Sequence, residues 1–144
     1  MKKSEPFCAV SLFLKGDKLE PGVITSRLCI EPTRSHRKGD VETTSAGSRV
    51  TRRRGLWVLK VERQNLSDAI TELAALLPGP AVNFFDFPGV DECFIDVFVS
   101  GEAEEYGCGE SEFCCDVQSI AALAALHLPV QFTVALTKPL ANLS

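Results

Sequence analysis

Residues 7–15 read FCAVSLFLK, two interleaved apolar sets: Cys8, Val10, Leu12 and Leu14 on one alternation, Phe7, Ala9 and Phe13 on the other. Successive side chains of a strand point to opposite faces, so a segment apolar on both sets is expected to be a central strand covered on both sides. That requirement recruits the rest of the chain as neighbouring strands and covering helices. LEPGVITSRLCI supplies a short helix, with Pro21 in its first turn and Ile24 and Leu28 four apart on one face. GLWVLKVE alternates Trp57, Leu59 and Val61 against Leu56, Val58, Lys60 and Glu62, which predicts a strand with one buried face. LSDAITELAALLPGP predicts a helix capped by Ser67, striped by Ile70, Leu73, Ala74 and Leu77, and stopped by Pro78-Gly79-Pro80. CFIDVFVS is a further strand with Cys93, Ile95, Val97 and Val99 on one set, whereas 81–92 is ambiguous between a short strand and a turn. Asp116 caps VQSIAALAALHL, apolar nearly all round and therefore expected to be buried, and PVQFTVAL closes as a strand with Val130, Phe132, Val134 and Leu136 on one face.

A chain of 144 residues is the size of one domain and buries about 70% of its unfolded surface without staples. The expectation is a single domain, 1–144. Two parts of it look alike: a strand, a small turn at Gly16 or Gly101, a helix and an apolar exit. The predicted class is therefore α+β, a ferredoxin-like α/β sandwich with an antiparallel or mixed sheet, helices on one face and a duplicated βαβ plan. The first half-repeat covers about 6–63, a linking helix 66–78, and the second half-repeat about 92–137.

The net charge of −4 conceals a division along the chain. Residues 1–64 hold 14 of the 15 Lys/Arg and 7 of the 19 Asp/Glu, a net of +7, while residues 65–144 hold 1 and 12, a net of −11. Such asymmetry points to charged partners or to pairing between the halves. If the sandwich is ferredoxin-like, the basic loop 31–55 and the acidic loop 101–116 leave the sheet at the same end and face one another. No stretch approaches the roughly 18 apolar residues of a membrane span, and the N-terminal run reads as a strand rather than a signal peptide, so a cytoplasmic protein with reduced thiols and no membrane partner is expected. Three of the six cysteines sit within apolar segments, where a free thiol behaves as a small hydrophobe.

Two loops carry the candidate chemistry. The acidic one offers Glu102, Glu104, Glu105, Tyr106, Glu110 and Glu112 with no basic residue among them, suited to docking on a basic protein surface; a solvated loop explains it as well. The basic one offers Thr33, Arg34, Arg37, Lys38, Arg52, Arg53 and Arg54 as an anion, nucleotide or nucleic-acid site. The phase of Trp57 with Leu59 and Val61 puts it in the core rather than beneath a base, and the acidic chain disfavours a polyanion. Cys108, Cys114 and Cys115 with His127 offer zinc-ligand types, but the C-x5-C-C spacing lacks a C-x-x-C knuckle, so no metal or cofactor is expected. His36 and His127 are the only histidines, no nucleophile or phosphate-loop motif is present, and Asp96 between Phe94 and Phe98 is read as a rim residue more readily than as a tuned acid. No catalytic residue is assigned.

The run Ile30-Glu31-Pro32-Thr33, the Lys38-Gly39-Asp40 turn and Gly55-Leu56-Trp57 resemble the bacterial domain-of-unknown-function family numbered 4279, over most of the chain. The acidic stretch with its cysteines and the loop 78–92 depart from that pattern. The resemblance implies a small cytoplasmic bacterial α+β domain and no activity, and hence no catalytic residues. By analogy with small immunity proteins that cover a toxin's active site, the expected function is a non-enzymatic protein-interaction domain, with the basic loop as the alternative site.

Overall fold

The computed structural model describes residues 7–78, 82–102 and 112–137. Seven strands and three helices follow one another as β1 (Phe7–Gly16), α1 (Pro21–Leu28), β2 (Arg34–His36), β3 (Val41–Thr43), β4 (Arg49–Thr51), β5 (Gly55–Arg63), α2 (Leu66–Leu76), β6 (Glu92–Glu102), α3 (Val117–Ala125) and β7 (Val130–Thr137), with a single 3₁₀ turn at Phe84–Asp86 before β6. Five strands form one sheet in the order β2-β5-β1-β6-β7, and β3 and β4 form a separate two-stranded ribbon.

β1 is the middle of the sheet, antiparallel to β5 from Cys8↔Arg63 to Gly16↔Gly55 and antiparallel to β6 from Phe7↔Ser100 to Lys15↔Glu92. Its first apolar set meets Trp57, Leu59 and Val61 on one side and Cys93, Ile95, Val97 and Val99 on the other. All of these are buried, and they share one cluster with Ile24 of α1, with Leu66, Ala69, Ile70 and Leu73 of α2, and with Phe84 and Phe87. The buried indole of Trp57 donates to Thr25 Oγ1 at 3.1 Å, which satisfies its one polar atom and ties α1 to β5.

The second set fares differently. Helices cover only one face among the described residues. Ala9 is buried, but Phe7 is exposed and Phe13 half-buried, and Phe13 stacks on Phe94 at 5.1 Å with Lys15 over both rings. Sequence reading placed β1 under cover on both sides; here a cross-strand aromatic pair and the stem of a lysine shield the second face instead.

The α+β class, the mixed sheet and the one-sided helices are as expected. The two halves of the expected duplicated βαβ plan differ in how their strands pair. β6, α3 and β7 do form a parallel βαβ unit, from Ile95↔Val130 to Glu102↔Thr137. In the segment that starts with β1, α1 leads to β2, which runs parallel to β1 with the antiparallel β5 between them, so the two halves are not copies of one adjacent βαβ unit. Similar strand-turn-helix patterns record local structure, and strand direction depends on where the chain goes after the helix.

Helix ends follow capping chemistry, with one revision. α1 opens on Pro21 and closes at Cys29, whose φ of 56° is left-handed. α2 is capped by Asn65, whose side chain accepts from the Asp68 amide at 3.1 Å, and not by Ser67. Ser67 lies inside the helix, where its hydroxyl accepts from the Asp116 amide at 2.9 Å and so docks the start of α3. Asp116 is the predicted cap of α3, accepting from the Ser119 amide at 2.8 Å. α3 itself is less buried than its composition predicts: only Ser119 is buried, held by Ser67 O at 3.2 Å and facing Thr71 Oγ1 at 3.3 Å, while Val117 and Ile120 are 82% and 55% exposed. No helix of the described residues is long and apolar enough to cross a membrane.

Three glycines meet where β1 ends. A Cβ on Gly16 would lie 1.7 Å from the Gly89 carbonyl oxygen, and one on Gly55 would lie 2.6 Å from the Gly16 carbonyl oxygen. The contact holds the lead-in of β6 against the β1–α1 turn, with the Asp91 amide donating to Lys15 O at 2.8 Å. Gly16→Ala must displace backbone rather than a side chain, so a loss of about 2–3 kcal/mol or more is expected in urea unfolding, against near-neutrality for Gly22→Ala with regard to space, since nothing lies within 4 Å of a Cβ there. The Asp116 cap gives a pH signature. Bonds from the Ser119 amide, and then its hydroxyl, hold the carboxyl below its ordinary value of 3.8. Its contribution is therefore fully present above that pH and disappears as the pH falls through the lower folded value. Melting temperatures measured from neutral pH down to pH ~3 should fall less steeply in Asp116→Asn, which keeps an acceptor but loses the charge.

Candidate functional site

The direction of β1 decides where the two charged segments go. β1 ends at Gly16, beside the starts of β5 and β6, and the ribbon of β3 and β4 leaves the sheet at that end. β6 ends at Glu102 beside the start of β1, and Asp116 returns to the N-terminus of α2, which follows the end of β5. Both flanks of the acidic segment are thus anchored at the end opposite the basic one, with the ten residues of β1, roughly 30 Å, between them. The ribbon and the described flanks of the acidic loop do not face one another. β2 runs antiparallel to β5 and parallel to β1, so it carries the chain from α1 to the far end of the sheet before the ribbon begins.

The basic end is built by turn chemistry. Asp40 Oδ2 accepts from the Arg37 amide at 2.8 Å, Gly39 takes a φ of 90°, and the Gly39 amide donates to Arg52 O at 2.8 Å, closing the base of the ribbon. Gly47, at φ 85°, turns its tip between Thr44 and Ser48. Every residue from Val41 to Val50 is exposed.

Carboxylates at the same end take up part of this positive charge. Arg37 pairs with Glu20 at 2.8 Å and Lys38 with Asp17 at 3.7 Å. Arg54 reaches Glu92 at 3.0 Å, with Asp17 and Asp91 within 3.9 Å. Arg52 bonds Glu42, and that bond holds the Glu42 carboxyl below its usual range. These pairs are solvated, so they orient the ribbon more than they stabilise it. Arg34, Arg49 and Arg53 have no carboxylate within salt-bridge distance among the described residues.

An open groove of about 800 Å³ runs along the ribbon, lined by the cations Lys38, Arg49, Arg52 and Arg53. Of the basic residues singled out in sequence, it gathers Lys38, Arg52 and Arg53. Arg34 is elsewhere, on β2 in register with Val58, and Thr33 is engaged with β5, its amide donating to Val58 O at 2.7 Å and its hydroxyl oxygen accepting from the Lys60 amide at 2.9 Å. Arg49 joins the groove because β4 pairs with β3, a hairpin that sequence reading left as loop. The alternation RVT ahead of three arginines was its signal.

At the acidic end, Glu112 is exposed and Glu102 closes β6, whereas Glu104, Glu105, Tyr106 and Glu110 lie outside the described residues. Asp96 Oδ1 accepts from Thr133 Oγ1 at 2.8 Å and from Gln131 Nε2 at 3.2 Å, which employs this carboxylate in fastening β7 to β6. His36 stands on β2 with Nδ1 buried and without a hydrogen-bond partner, and His127 follows α3 at φ 53°. Cys8, Cys29, Cys93, Cys114 and Cys115 are free thiols, and burial pushes Cys93 up to about 12, which makes it inert. Cys108 lies outside the described residues, and no group of three or more His, Cys, Asp or Glu among the described ones is placed to hold a metal ion.

Neither a curated protein nor a solved structure matches this chain. A family model does, over residues 6–136, from the strand that centres the sheet to the one that ends it. With nearly the whole fold inside that match, the chain belongs to the family described as Domain of unknown function (DUF4279).

Proposed function

We propose that this protein is a non-enzymatic protein-interaction domain, of the immunity type, whose acidic segment docks on the basic surface of a bacterial toxin or similar partner in the cytoplasm. The supporting observation is the separation of charge. The basic end draws its counter-ions from Asp17, Glu20, Glu42, Asp91 and Glu92, its own neighbours, and leaves the flanks of the acidic segment a strand length away. A cluster of carboxylates raises the rate at which a basic partner is met and selects against acidic ones. The docking residues would be Glu102, Glu104, Glu105, Tyr106, Glu110 and Glu112. Pull-down of the tagged chain from lysate of its source, at low and high salt, should recover a stoichiometric basic protein that salt weakens. Replacing the five glutamates by glutamine should abolish recovery; undiminished recovery with unchanged salt dependence would sink the reading.

A second reading rests on the groove of Lys38, Arg49, Arg52 and Arg53 as a site for phosphate-bearing ligands. Arg49 and Arg53 favour it, because both lack a carboxylate partner among the described residues and both line the groove. Ligand that binds only the folded state raises the melting temperature. Inorganic phosphate or a short single-stranded oligonucleotide should raise it for the parent and not for Arg53→Glu, with the oligonucleotide effect falling steeply as salt rises. Equal shifts in both proteins would exclude the groove.

A further inference from the structure

The two edges of the sheet are treated differently. β2 is three residues long and carries Arg34 and His36, the short, charged kind of edge that discourages pairing with another chain. β7 is eight residues long, VQFTVALT, with no charged residue and no proline. Its outer side has no strand partner among the described residues.

Its apolar face is also bare. Val130, Phe132, Val134 and Leu136 share a face with Ile95, Val97 and Val99, the helix-covered side of the sheet. The cover stops short of them, because α3 packs on α2 through Ser119, Ser67 and Thr71. Phe132, Val134 and Leu136 are 70%, 64% and 59% exposed. Large apolar groups clustered along an uncharged edge are expected to be covered by something.

We propose that β7 is a dimerisation edge, on which a second copy of this chain pairs antiparallel to make one continuous sheet of ten strands. The inference is independent of the function proposed above. Three observations favour a second copy over an unlike partner. β7 has no charge for a different protein to complement, and none to repel its own copy. A twofold axis at Val134 sets Phe132 opposite Leu136 of the second copy, so the same apolar set meets itself on the same face, as an isologous contact requires. Antiparallel pairing also places the Glu102 ends of the two copies at opposite ends of the joint sheet. Phe132, Val134 and Leu136, each more than half exposed, would lose water together with the strand edge when the two copies of β7 pair.

The test is sedimentation of the full chain across a dilution series, with hydrogen exchange mapped over 130–137. The parent should run at twice the 15.6 kDa chain mass, with β7 protected from exchange. Val134→Lys puts a cation on the edge at a position that is already 64% exposed, so circular dichroism should be unchanged while the mass falls to one chain and protection over 130–137 is lost. Phe132→Glu should do the same. A single-chain mass for the parent overturns the proposal: slow exchange over β7 would then mean that other residues of the same chain cover it, and fast exchange would leave the edge to a different protein. A dimer that survives both substitutions overturns it equally, since the contact would lie elsewhere.

Discussion

β1 is hydrogen-bonded along its length on both sides, antiparallel to β5 and to β6, and the residues on its inner set, Cys8, Val10, Leu12 and Leu14, are wholly buried. Everything else takes its place from this strand. Trp57 reaches α1 because Leu14 sets its register, and α2 packs across β1 and β5 because their inner rows form one surface. Cross-strand pairs of this kind are the unit from which a sheet draws stability, and a one-residue slip would turn the whole inner row outward.

The same strand determines the electrostatics. Antiparallel neighbours put the beginning of β6 at the end of β1, so Asp91 and Glu92 arrive beside Asp17, Lys38 and Arg54. That end is a mixed network on a tightly stitched backbone, where Gly16, Gly55 and Gly89 allow close approach. The flanks of the acidic segment are carried to the far end. A roughly 30 Å separation is about four Debye lengths at physiological salt, so the charges of the ribbon and those of the described flanks are largely screened from one another.

Among the described residues, the sheet has one short, charged edge and one long, uncharged edge, and helices on one face only. The open face is closed off locally by the stacked pair of Phe13 and Phe94 and by polar rungs such as Asp96 with Gln131 and Thr133. Among the described residues, β7 has no such arrangement on the helix side. Its apolar residues belong to the core by phase and to the surface by exposure, a mismatch that an assembly of two chains resolves.

Sequence alone determined the period of each segment and therefore its type. β1, β5, β6 and β7, the three helices, the inward phase of Trp57, the Pro21 start and the Asp116 cap were all legible, because alternation, helical spacing and caps are set by residues within a turn or two of one another. The choice of Asn65 over Ser67 as a cap was also local, and was missed only because both are good cap residues two positions apart. Tertiary structure decided the rest. Whether β5 returns parallel or antiparallel to β1, whether β3 and β4 pair with each other, and which groups line the ribbon groove depend on partners far along the chain. α3 shows the limit most plainly: its composition says apolar, but only the docking of Ser119 on α2 fixes which side faces the core, and Val117 and Ile120 are left outside. A pattern records that a segment has an apolar face; what that face meets is settled by where the neighbouring elements end up.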